Sequence, residues 1–202
     1  MCLTQPRRTP MSVVTPLSEN RATRQGKIKW AIKDPDRGFP KSIDTFRLTS
    51  PDLASLEALA VKYGGTPRPW DDPAAAERNQ HELITETTEL DVWIVPGQIS
   101  KGYEHWQGGV CMRRCDGELC TVPQETADGM EHVDVNCMCH AANELTCKPK
   151  VRASFILPDA PLAGTWMLES SGWETWRSLP ALAETLEMLH AGNSQLQPAK
   201  LT

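Results

Sequence analysis

Two stretches of the chain share one order of apolar and polar positions. Lys27 to Ala60 reads as a strand-like run, a turn rich in Pro, Asp and Gly, a second strand at TFRLTS, and a helix. Lys150 to Ala183 follows the same order, with TWMLES in place of TFRLTS. In the first stretch Leu53, Leu56, Leu59 and Ala60 recur at helical spacing and share one face. Ser50-Pro51-Asp52 supplies the start signal and Gly64-Gly65 the stop. In the second stretch a helical region begins near Gly172 and continues through Leu182, Leu186 and Leu189 to Gly192. Leu179-Pro180 is expected to interrupt it, because proline lacks the amide that a helix interior uses.

Between the two stretches, HELITETTELDVWIVPG alternates enough to predict one or two strands ending at Pro96. SKGYEHWQGG, Ser100 to Gly109, is expected to be a short helix leading into the cysteines. The polar run from Pro69 to Gln80 reads as a loop, with DDPAAAE as one helical turn. Residues 1–26 read as a flexible arm and residues 193–202 as a flexible tail. The expected architecture is α+β, a single domain over residues 27–192. It has a small strand-and-helix core, a candidate duplicated ββα unit, and a cysteine-rich zinc-binding insertion at residues 108–149.

Charge narrows the function. A net charge of −5 argues against sequence-independent nucleic-acid binding, which needs a basic face. No apolar run approaches the roughly 18 residues of a membrane span. MCLTQPRRTPMSVV has no apolar core after its arginines, so it does not read as a secretory signal. A cytoplasmic location is expected, and there clustered cysteines point to metal rather than disulfides.

Six of the seven cysteines fall between Cys111 and Cys147. Four thiolates suffice for a tetrahedral zinc, and cysteines close in sequence converge on one ion at little loop-closure cost. Cys115-Asp116-Gly117 and Asn136-Cys137-Met138-Cys139 are candidate turns. The preferred quartet for structural Zn2+ is Cys115, Cys137, Cys139 and Cys147, with Cys111 and Cys120 as substitutes. Iron–sulfur ligation, reduced core thiols and disulfides are the alternatives. His132 and His140 flank the window as further candidate ligands, against an ordinary surface or second-sphere role. Arg113 and Arg114 beside Cys115 would suit a reactive thiol, but five neighbouring cysteines make ligation the better account.

No P-loop, GxSxG, HExxH or GxGxxG pattern occurs, and the zinc-deaminase spacing is absent. The reading is therefore a binding protein without catalytic residues. Trp30, Trp93 and Trp166 lie in strand-like runs and suit a core. TPRPW (Thr66 to Trp70) and GWETWR (Gly172 to Arg177) are contact candidates, since Trp and Arg dominate interface hot spots. The alternative for Trp173 and Trp176, three apart, is one buried helix face.

Several of these residues also carry a family likeness. They are Phe46-Arg47-Leu48-Thr49-Ser50, Tyr63-Gly64-Gly65, Pro69-Trp70, Cys115-Asp116-Gly117, Cys137-x-Cys139 and Cys147-Lys148-Pro149. Leu157-Pro158 and Gly164-x-Trp166-x-Leu168-Glu169-Ser170 complete the series. In this order they resemble the recombination directionality factors of actinobacterial phages that partner large serine integrases, over roughly residues 27–185. The resemblance implies an accessory protein that binds the integrase, with its coiled-coil region as the expected contact. It implies that DNA is reached only through the integrase, and that recombination turns from integration to excision, attL × attR. The alternative is a zinc-stabilised nucleic-acid-binding or replication accessory protein.

Overall fold

Period-two alternation governs more of this chain than the helical period does. The computed structural model describes residues 23–33, 40–70, 80–127, 129–139, 146–160, 164–189 and 196–202. Residues 1–22 of the expected arm, the DDPAAAE turn and His140 lie outside them. The first strands are β1 (Arg24–Lys33), β2 (Pro40–Ser50), β3 (Arg68–Pro69) and β4 (His81–Ile84). They are followed by β5 (Leu90–Gln107), β6 (Val110–Cys115), β7 (Leu119–Thr126) and β8 (Gly129–Asn136). The last are β9 (Lys148–Ile156), β10 (Thr165–Ser170) and β11 (Gln197–Leu201). Helix α1 spans Leu53–Tyr63 and helix α2 spans Trp173–Leu189.

Among the described residues these eleven strands form one sheet, ordered β3-β4-β2-β1-β10-β9-β5-β6-β7-β8, with β11 added to β5. The sheet is mixed: β1 and β10 pair in parallel, and β1 with β2, β9 with β10 and β5 with β9 are antiparallel. This overturns the expected α+β class with a small strand-and-helix core and a separate cysteine-rich insertion. The segments read as a helix, an insertion and a tail are strands of the same sheet.

Each correction has a local cause. Ser100–Gln107 is the second half of β5, because its backbone is paired on both sides. Tyr103 lies opposite Pro149 on one flank and Cys115 on the other. Strand β5 also runs through Pro96. That residue falls in the irregular stretch between Ile94 and Ile99, where the ladder is interrupted and the missing N–H is tolerated. The cysteine-bearing strands β6, β7 and β8 extend the sheet outward from β5. Gln197–Leu201, read as loose tail, pairs with Leu90–Ile94 along the flank of β5 that β6 later occupies.

The two similar stretches fold as β1–β2–α1 and β9–β10–α2. Equivalent strands run in opposite directions, yet their order across the sheet is the same, β2-β1 and then β10-β9. A rotation that reverses strand direction and preserves the face would also reverse that order. Both helices pack on one face, so no symmetry of the sheet relates the two as copies.

That face holds the main core. Ile28, Phe46, Leu48, Phe155, Trp166 and Leu168 bury against Leu56, Leu59 and Tyr63 of α1. Asp52 caps α1 by accepting from the Ala54 amide at 3.2 Å, and Gly64 closes it by donating to the Ala60 carbonyl at 2.9 Å. Leu179 of α2 packs against the same cluster. Helix α2 continues through Pro180, which leaves the Trp176 carbonyl without its usual donor.

Candidate functional site

The opposite face of the sheet is charged. Strand alternation sends Arg47, Glu82, Glu169, Arg152, Glu104 and Arg114 there while their neighbours enter the core. Glu104 is its centre. It is only 4% exposed, yet it receives Arg152 through both oxygens at 2.7 and 2.9 Å. The Trp106 indole donates to it at 2.9 Å and Arg114 approaches at 3.3 Å. Burial pushes this carboxyl upward, but hydrogen bonds from Arg152 and Trp106 and the charges of Arg152 and Arg114 outweigh it. The carboxyl is held below its ordinary value.

From Arg152 the network continues to Glu169 at 3.2 Å, which also takes Lys150 at 2.6 Å. Farther along, Glu82 joins Arg47 at 2.8 Å and Arg68 at 2.9 Å. The Arg47 guanidinium lies 4.3 Å from the Trp70 ring, so the TPRPW segment is tied to this face. A groove of about 320 Å³ opens beside Glu104, walled by Arg114, Arg152, Lys150, Thr121 and Asp134.

The cysteines sit on the other side of the same strands. Cys115 ends β6, and the turn after it is built as its residues dictate. The Asp116 carboxylate accepts from the Glu118 and Leu119 amides, each at 2.8 Å, and Gly117 takes φ 114. Those two amides hold the Asp116 carboxyl below its usual range. The Cys137 amide donates to the Glu118 carbonyl at 2.8 Å, fastening the end of β8 to this turn.

Four sulfurs meet as two pairs. Cys115 Sγ lies 3.4 Å from Cys137 Sγ, and Cys139 Sγ lies 3.7 Å from Cys147 Sγ. Cys120 stands across from Cys115 and is 2% exposed within the same small cluster. Cys111 is farther up β6, with its thiol against the Arg113 carbonyl at 3.5 Å. Among the described residues no three Cys, His, Asp or Glu side chains converge as a ready-made metal cage. Burial, then the Cys137 contact, pushes the Cys115 thiol up to about 12. Burial, then Cys139, pushes Cys147 up to about 11, and burial raises Cys120. Cys139 is lowered to about 6, chiefly by the Thr146 hydroxyl at 3.3 Å.

The two arginines that flank the first cysteines diverge. Arg113 reaches Thr146 Oγ1 at 3.2 Å on the thiol side, whereas Arg114 joins Glu104 in the groove. His132 lies on β8 opposite Pro123. Trp173 and Trp176 are neither fully buried nor free. Their rings are 5.6 Å apart, and Tyr103 stands 5.3 Å from Trp176 on one side and against the thiol cluster on the other. Nothing in the sequence pattern singled out Tyr103, Glu104 or Thr146. The first two lie in the stretch expected to be a helix, and only their pairing with β6 and β9 makes it a strand. Thr146 had no signal beyond its place beside Cys147.

No solved structure matches this fold. The model of the Gp3-like family, described as recombination directionality factor-like, matches residues 22–202 and so takes in every strand and helix above. With that match running over nearly the whole chain, the protein belongs to the recombination directionality factor-like family.

Proposed function

We propose that this chain is a phage accessory factor that binds a large serine integrase and switches it from integration to excision, attL × attR. The observation that carries the reading is the family match over residues 22–202. The contact is with the coiled-coil region of the integrase, DNA is reached through the integrase alone, and this chain has no catalytic activity of its own. It works in the cytoplasm of the bacterial host.

The acidic balance of the chain supports an indirect relation to DNA. Arg47, Arg68, Arg114, Lys150 and Arg152 are each held by Glu82, Glu104 or Glu169. Three carboxylates offset only part of these five cations, and it is the chain's net charge of −5 that weighs against direct phosphate binding. Switching an integrase then requires binding one of its conformations better than the other. Full reversal of a two-state balance takes about 5.5 kcal/mol of differential affinity.

The test is recombination in vitro with a cognate serine integrase. Excision of an attL × attR substrate is expected only when both proteins are present, with attP × attB recombination suppressed. No switch with the cognate integrase would sink the reading. A salt-dependent shift of plain DNA by this chain alone would favour a nucleic-acid-binding protein in its place.

A further inference from the structure

Strands β6, β7 and β8 form the outer part of the sheet, and their own core is thin. It consists of Cys115, Cys120 and Cys137, with Tyr103, Val122 and Cys139 against them. Val110, Leu119, Met130 and Val135 on the same strands are exposed, between 40% and 65%. So little buried apolar surface does not by itself hold three strands in place; small units of this kind are usually stapled by metal or disulfide.

The sulfur geometry supplies the staple. Around a tetrahedral zinc with bonds near 2.3 Å, neighbouring thiolates stand about 3.8 Å apart. A disulfide would bring them to about 2.05 Å. The observed separations of 3.4 Å for Cys115–Cys137 and 3.7 Å for Cys139–Cys147 have the length of tetrahedron edges. Cys137 and Cys139 are two residues apart and each belongs to one pair, so chain connectivity keeps the pairs close, although among the described residues they do not yet enclose one ion and must draw together around it. We propose that Cys115, Cys137, Cys139 and Cys147 bind one Zn2+ through four thiolates, and that this ion clamps the ends of β6 and β8 to the start of β9.

Of the remaining cysteines, Cys111 is excluded on distance, and Cys120 ranks behind the quartet because no close sulfur contact involves it. Cys111 is four strand positions from Cys115, about 13 Å by strand rise, and its thiol is engaged with the Arg113 carbonyl. Cys120 packs beside the site as a buried neighbour, while the two close sulfur contacts are made without it. A four-thiolate zinc carries net negative charge, and Arg113, hydrogen-bonded to Thr146 next to Cys147, is the cation placed to offset it.

The experiment uses the full chain expressed with added zinc and dialysed. Elemental analysis is expected to give about one Zn2+ per chain, and Co2+ exchange the absorption of a four-thiolate tetrahedral site. Cys111→Ser and Cys120→Ser keep that equivalent and that spectrum. Cys139→Ser, the most accessible member of the quartet, loses the four-thiolate signature; chelation of the unaltered protein lowers its melting temperature, and added Zn2+ restores it. A wild-type chain that folds without zinc, or a Cys115–Cys137 disulfide found by mass spectrometry in the native protein, overturns the site. Loss of Co2+ absorption on Cys111→Ser or Cys120→Ser overturns the assignment of the four ligands.

Discussion

Arg152 on β9 grips Glu104 on β5 with two parallel hydrogen bonds, 2.7 and 2.9 Å long, although the two are not directly opposed in the sheet. Arg152 pairs in register with Ser100 and Glu104 with Lys148, so the guanidinium reaches along the sheet past Gly102. The side-chain-free Gly102 sits within the groove lining, and a Cβ there would come 3.0 Å from the Cys115 carbonyl oxygen. The pair ties β9 to β5, and Arg114 of β6, 3.3 Å from Glu104, links it to the first of the cysteine-bearing strands.

Removing the arginine is therefore expected to be costly. Arg152→Met leaves Glu104 buried with only the more exposed Arg114 as a cation, and a loss of about 3 kcal/mol should follow in a urea melt. Arg114→Ala removes a side chain that is 65% exposed, and about 1 kcal/mol or less is expected. Equal effects from the two variants would show that the groove does not depend on the bidentate pair.

Acid should undo the same network. Burial raises Glu104 and Glu169, but their Arg and Lys partners win and hold both below the ordinary value in the folded chain. A carboxyl lowered by folding contributes stability that is fully present above its unfolded value, about 4.3 for Glu, and is lost as pH falls through the folded one. The contribution of these two groups is thus expected to be steady from pH 7 to about 5.5 and to decline below about 4.5. In a Glu169→Gln chain this decline should be shallower, as measured by thermal melts across the range.

Helix α2 is anchored through aromatic contact. Tyr103 and Trp176 stand 5.3 Å apart, and the Trp176 indole donates to the Gly102 carbonyl at 3.2 Å. A double-mutant cycle of Tyr103→Leu and Trp176→Leu should return a coupling of about 1 kcal/mol. Strict additivity would mean that α2 is held by other contacts.

The end of α1 tolerates nothing larger than hydrogen. Gly65 has φ 86, and a Cβ there would lie 2.0 Å from the Ile84 carbonyl oxygen. Gly109, at φ 83, has no atom within 4 Å of the same position. Gly109→Ala is expected to cost about 1 kcal/mol in backbone strain, and Gly65→Ala clearly more, because β4 must move as well. Comparable melts for the two would contradict the close approach.

Local chemistry makes α1 legible from its residues alone. Asp52 caps its start and Gly64 its end, and both act within a few residues of chain. The Asp116-Gly117 turn is legible for the same reason, since its hydrogen bonds close within three residues. The grouping of cysteines is visible as spacing, although their meeting in two pairs is not.

By itself, then, the sequence determined the Asp116-Gly117 turn, where α1 begins and ends, and which cysteines lie near one another. Only the tertiary structure decided that Ser100–Gln107 is strand, because Gly, Tyr and Trp there accept either state and the pairing to β6 and β9 selects one. It decided likewise that Gln197–Leu201 joins β5, a partner about a hundred residues earlier. Strand register then placed Glu104 and Arg152 on the charged face and Cys115 and Cys120 on the other. A shift of one residue would exchange the faces, and no local pattern carries that choice.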